Sequence, residues 1–174
     1  MEIFNDISNF NNTSDYLPIL NGTLNSVLLL IFFVFHNVLS SHYLKNWYKK
    51  FNLSSIIENV MTLMLIIILT RYCYKWVFNE WNIISFTFIA IIVIIIYDIL
   101  FCVTISVIPK GYSYIVDFFK KYKKQLDFKT ILINICMIIT ICLLSSYFAT
   151  LDNNINIITL ISTLFFIPYL LYIE

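Results

Sequence analysis

"IISFTFIAIIVIIIYDILFCVTISVI", residues 83–108, carries one charged side chain, Asp98, in a run that is otherwise apolar or uncharged. A helix rises about 1.5 Å per residue, so about 20 apolar residues cross the hydrocarbon layer of a bilayer. This run is long enough. It shows no alternation of polar and apolar positions, which a membrane β-strand of about ten residues would need. Four further runs qualify in the same way, at 24–43, 56–78, 130–149 and 155–172. The fold class that follows is all-α: a polytopic transmembrane bundle of five spans.

Composition agrees. Apolar residues make up 60% of the chain and charged ones 12%, so a water-soluble domain, about one quarter charged, is excluded. The organisation read from these runs is an extracytoplasmic N-terminal tail, 1–23, followed by a five-span domain, 24–174. Acidic residues precede the first span, and no small-residue cleavage site follows it. It is therefore read as a retained helix rather than a signal peptide.

Orientation comes from the lysines. The segment after the first span holds Lys45, Lys49 and Lys50 without an acid, and the segment after the third holds Lys110, Lys120, Lys121, Lys123, Lys124 and Lys129. Both belong on the cytoplasmic side, which places the N-terminus outside. Asn11, Asn12 and Asn21 each open an N-x-S/T triplet on that outer side and are the glycosylation candidates. Ile, Asn, Lys, Phe and Tyr are used heavily, so triplets of this kind also arise by composition alone.

In "PKGYSYIVDFFKKYKKQLDFK", residues 109–129, Tyr112, Ile115, Val116, Phe119, Tyr122 and Leu126 recur at helical spacing. Lysines fill much of the other side. The expectation is one amphipathic interfacial helix on the inner leaflet, with Lys120, Lys121, Lys123 and Lys124 drawn to anionic headgroups. The alternative is a solvated helix whose charges only set topology.

Asp98 needs shelter, because a charge at the centre of a span costs about 3 kcal/mol on insertion scales. His36, Asn37, Glu58 and Asn134 fall at a similar depth toward the cytoplasmic leaflet, so these five form the expected polar cluster. Spacing supports inward stripes, since eleven residues make close to three turns: Thr87 shares a face with Asp98, and Asn134 with Ser145. The cluster reads as a hydrogen-bonded bundle core, as a proton or cation path, or, most weakly, as a metal site. His36 and His42 point to different faces, and neither HxxxH nor HExxH occurs, so no metal ligand set is assigned. Cys73, Cys102, Cys136 and Cys142 form no CxxC pair and read as small buried hydrophobes.

Nucleotide-binding, dinucleotide-binding and nucleophile-elbow motifs are absent, and the chain has only two glycines. No catalytic residue and no cofactor is assigned.

"HNVLSSHYLKNWYKKFNLSSIIENV", "YDILFCVTISVIPKGYSYIVDFFKKYKK" and "SSYFATLDNNINIITLISTLFFIPYLLY" resemble a group of uncharacterised multipass membrane proteins of large nucleocytoplasmic DNA viruses. The resemblance covers residues 36–60 and 97–172. It implies a viral or host-derived membrane as the setting and supplies no site residues. The expected function is a non-enzymatic structural or interaction component of such a membrane. The alternative is a small channel or proton-linked transporter that uses the polar cluster. Expected partners are the bilayer and its anionic lipids, a second copy of the chain, or a viral membrane or capsid component; no nucleic acid is expected.

Overall fold

The computed structural model describes residues 3–36, 38–39, 42–122 and 128–171. Seven α-helices follow one another: α1 (Tyr16–Phe35), α2 (His42–Phe51), α3 (Leu53–Val77), α4 (Ile83–Val107), α5 (Tyr114–Tyr122), α6 (Phe128–Phe148) and α7 (Asn153–Leu171). A single 3-10 turn, Thr13–Asp15, leads into α1, and no strand occurs among the described residues. The two short helices, α2 and α5, lie at the lysine-rich end. The other five are long and apolar enough to cross a membrane.

Their outer surfaces fit that setting. Ile84, Phe88, Leu100 and Val107 of α4 and Met61, Leu65 and Leu69 of α3 are exposed, alongside many other large apolar side chains. Continuous apolar surface of this extent is what lipid covers and water does not. The chain has the architecture of a multipass integral membrane protein.

α1 is the central helix, packed against α3, α6 and α7, while α4 bridges α3 and α6. Its place follows from its small and polar residues. Between transmembrane helices apolar burial supplies little drive, so close packing and interhelical hydrogen bonds decide which faces meet. A Cβ on Gly22 would lie 2.7 Å from the Ser145 backbone nitrogen and 2.9 Å from its Cα. Only glycine allows α1 and α6 to approach this closely.

Local signals set the helix ends. Asn82 accepts from the Ile84 and Ser85 amides at 2.8 and 3.5 Å and caps α4. Pro18 sits in the first turn of α1, where its missing N–H has no helical acceptor to lose. Gly111, at φ +85°, turns the chain from α4 to α5, and its N–H donates to both carboxylate oxygens of Asp117 at 3.0 and 3.1 Å.

Several expectations are corrected. The first span begins at Tyr16, not at residue 24, because "NGT", 21–23, is buried inside the bundle, where Asn21 Nδ2 and Thr23 Oγ1 donate to the carbonyls of Asn156 and Ile19. Residues 1–23 are therefore not simply a tail: among the described ones, Ile7 is fully buried and Asn5 pairs with the Ser146 backbone (N–H to carbonyl, 3.1 Å). The segment after the first span holds a helix, α2, that presents Leu44, Trp47 and Tyr48 to the core. Burial raises the Tyr48 phenol above its ordinary range, so it stays neutral and accepts from Asn59 Nδ2 at 2.6 Å. Among the described residues the amphipathic helix expected in 109–129 is α5, Tyr114–Tyr122, and it is paired with α2: Trp47 and Phe51 meet the Phe118 ring at centroid distances of 5.4 and 5.2 Å.

Candidate functional site

The two ends of the bundle are built differently. At the end opposite the lysine-rich α2 and α5, called outer after the orientation expected from the lysines, Arg71 is fully buried and lies 2.8 Å from Asp15 Oδ2. Its Nη2 also donates to the carbonyls of Asn9 and Asn12, and its guanidinium lies over the Tyr16 ring. Arg71 does not snorkel outward or pair with Asp152. The N-terminal segment folds across it as a lid, and Lys75 Nζ adds a bond to Asn9 Oδ1 at 3.1 Å.

Beneath this lid two amides clasp three helices. Asn21 Nδ2 of α1 donates to the backbone and side-chain oxygens of Asn156 at 2.8 and 3.0 Å. Asn156 Nδ2 in turn lies within reach of the carbonyls of Phe148, the last residue of α6, and of Leu151 in the turn that follows. The Phe148 carbonyl also accepts from the Leu151 N–H, so Asn156 ties α7 to a closed turn at the end of α6. Asn21 is thus a packing residue and not a glycan acceptor: it is fully buried within α1. Asn12 stays exposed but is engaged in the turn, donating to Asp15 Oδ1 at 2.9 Å, and Asn11 is exposed.

At the inner end the helices part around a cavity of about 530 Å³. Glu58 and Thr62 enter it from α3, Tyr97 and Asp98 from α4, and Asn134 from α6, with Tyr43 of α2 at its edge. Asn134 Nδ2 donates to Asp98 Oδ2 at 3.0 Å, and Thr62 Oγ1 donates to Glu58 Oε1 at 3.4 Å. Thr62 Oγ1 also lies 3.5 Å from Tyr97 Oη, which extends the Glu58 side to α4, while Asp98 is held separately by Asn134. Otherwise the walls are largely apolar, from Leu30, Ile66 and Ile94 to Met137 and Phe119. Among the described residues no Lys, Arg or His lines this cavity.

Of the expected cluster, Glu58, Asp98 and Asn134 meet here. His36 does not. It caps the exposed C-terminal end of α1, where its ring rests on Phe32 at 4.2 Å. Asn37 lies outside the described residues, as do Lys123 and Lys124. Lys120 turns back on its own chain, donating to the Ile108 carbonyl, whereas Lys121 lines a second cleft between α2 and α5.

Spacing puts Thr62 one turn from Glu58 on the same face of α3, whereas sequence reasoning missed Tyr97, which Thr62 meets across on α4. Among the described residues no three His, Cys, Asp or Glu side chains converge as a metal site requires. Comparison with protein-family models, curated proteins and solved structures found no match for this chain, so its function is argued from this cavity and the helices that form it.

Proposed function

We propose that the chain is a non-enzymatic multipass membrane protein that holds a lipophilic cation in its inner cavity. One observation carries this reading: two carboxylates enter a largely apolar cavity that no cationic side chain lines among the described residues. A half-buried acid without a cationic partner is costly in an apolar setting, and a ligand bearing an ammonium or similar cation relieves that cost while its apolar body fills the walls. The volume of about 530 Å³ suits a small organic molecule.

The closed outer end favours a carrier caught with its inner side open over a permanent pore. Proteoliposomes containing the chain are expected to accumulate tetraphenylphosphonium under an inside-negative potential faster than empty vesicles, and Asp98→Asn should abolish the difference. Equal uptake with and without the protein would refute carriage.

The interlocked outer end also favours a second reading, a structural or interaction protein of a viral or host-derived membrane. Under that reading Asp98→Asn folds and localises normally, no cation is bound, and the chain is recovered with purified virions or with a membrane partner. Recovery in cellular membranes alone removes the viral setting.

A further inference from the structure

A second cleft, about 470 Å³, lies between α2 and α5 at the lysine-rich end of the bundle. Lys49 and Lys50 reach it from α2 and Lys121 from α5. We infer that this cleft is a binding site for a phosphate-bearing anion.

Three features argue for it. The first is charge: three ammonium groups border one cleft, and the acid beside them, Asp117, is engaged by the Gly111 N–H. The second is pre-organisation. Lys50 Nζ stands 4.1 Å above the Tyr114 ring centroid and 5.4 Å from that of Phe118, so aromatic faces hold a long side chain that would otherwise wander. An ordered ammonium loses less freedom when an anion binds it.

The third is depth. Trp47, Phe51 and Phe118 form an aromatic slab that ties the cleft to the inner ends of the spans, where the lysine bias places the cytoplasmic headgroup layer. Phosphate offers several acceptor oxygens and up to two negative charges to such a set of point donors. This site takes an anion and is separate from the acidic cavity, so either can fail without the other.

A phosphate group can come from a lipid headgroup or from a soluble phosphate ester. The full chain, purified in dodecyl maltoside micelles, is mixed with phosphatidylinositol 4-phosphate or with phosphatidylcholine, and retained lipid is read by native mass spectrometry. One phosphoinositide is expected per chain, in preference to phosphatidylcholine. Affinity should fall about fivefold for Lys50→Gln, and roughly a hundredfold for the Lys49→Gln, Lys50→Gln, Lys121→Gln triple variant. Lys45→Gln with Lys110→Gln, outside the cleft, should change it less than twofold.

Displacement of the lipid by glycerophosphoinositol 4-phosphate identifies the headgroup as sufficient and admits a soluble ester as the ligand. Retention against that competitor assigns the site to lipid. Should the triple variant elute aggregated, the single Lys50→Gln variant decides. No preference over phosphatidylcholine, or equal losses in the cleft and control variants, overturns the inference.

Discussion

At the outer end of the bundle, a buried arginine and a buried aspartate stand 2.8 Å apart under a folded-back segment, with backbone carbonyls supplying further acceptors. At the inner end, Glu58 and Asp98 enter a cavity of about 530 Å³ and are met by hydroxyl and amide groups but, among the described residues, by no cation. The outer end buries its ionisable groups, whereas Glu58 and Asp98 are only half-buried. Among the described residues only the outer end completes an ion pair. A closed pair contributes to holding the helices; acids left with neutral partners retain the capacity to receive a charge from elsewhere.

Substitutions should separate the two ends. The largest effect is expected at Arg71→Met, which strands Asp15 without its cation and should cost about 3–5 kcal/mol, read as a fall in the unfolding midpoint in detergent. Asn156→Leu is next. It removes the donor to the Phe148 and Leu151 carbonyls and the side-chain one of Asn21's two acceptors, at about 3 kcal/mol. Gly22→Ala forces α1 away from Ser145 and should cost about 2 kcal/mol in the same assay, with the larger Gly22→Val worse.

The smallest stability effect is expected at the inner end. Asp98→Asn with Glu58→Gln should leave the midpoint unchanged or raise it, since two charges without an internal cation become neutral in place. If instead the double variant unfolds as readily as Arg71→Met, the acids are structural and the contrast between the ends disappears.

Much of the fold is legible in the sequence because long apolar runs allow few alternatives in lipid. Four of the five spans lie within about three residues of their sequence-read limits at both ends. The first is displaced because its opening turns contain Asn21, Gly22 and Thr23, which hydropathy penalises and tertiary contacts satisfy. The α2 helix was readable in principle: Leu44, Trp47, Tyr48 and Phe51 stand at helical spacing, but the lysines between them drew attention to topology.

The pairing of Asn134 with Asp98 was anticipated from depth alone. Depth did not exclude His36, since its position depends on α1 ending at Phe35. Arg71 with Asp15, separated by 56 residues and joined through a folded-back segment, left no local signal.

The most direct test of the contrast uses two probes of similar shape and opposite charge, tetraphenylphosphonium and tetraphenylborate, titrated into the detergent-solubilised full chain by calorimetry. Saturable binding of the cation and none of the anion is expected, with the Glu58→Gln, Asp98→Asn variant folded but unable to bind the cation. Equal affinity for both ions, or an undiminished cation preference in that variant, would contradict the claim that the inner acids await a cation from outside the chain.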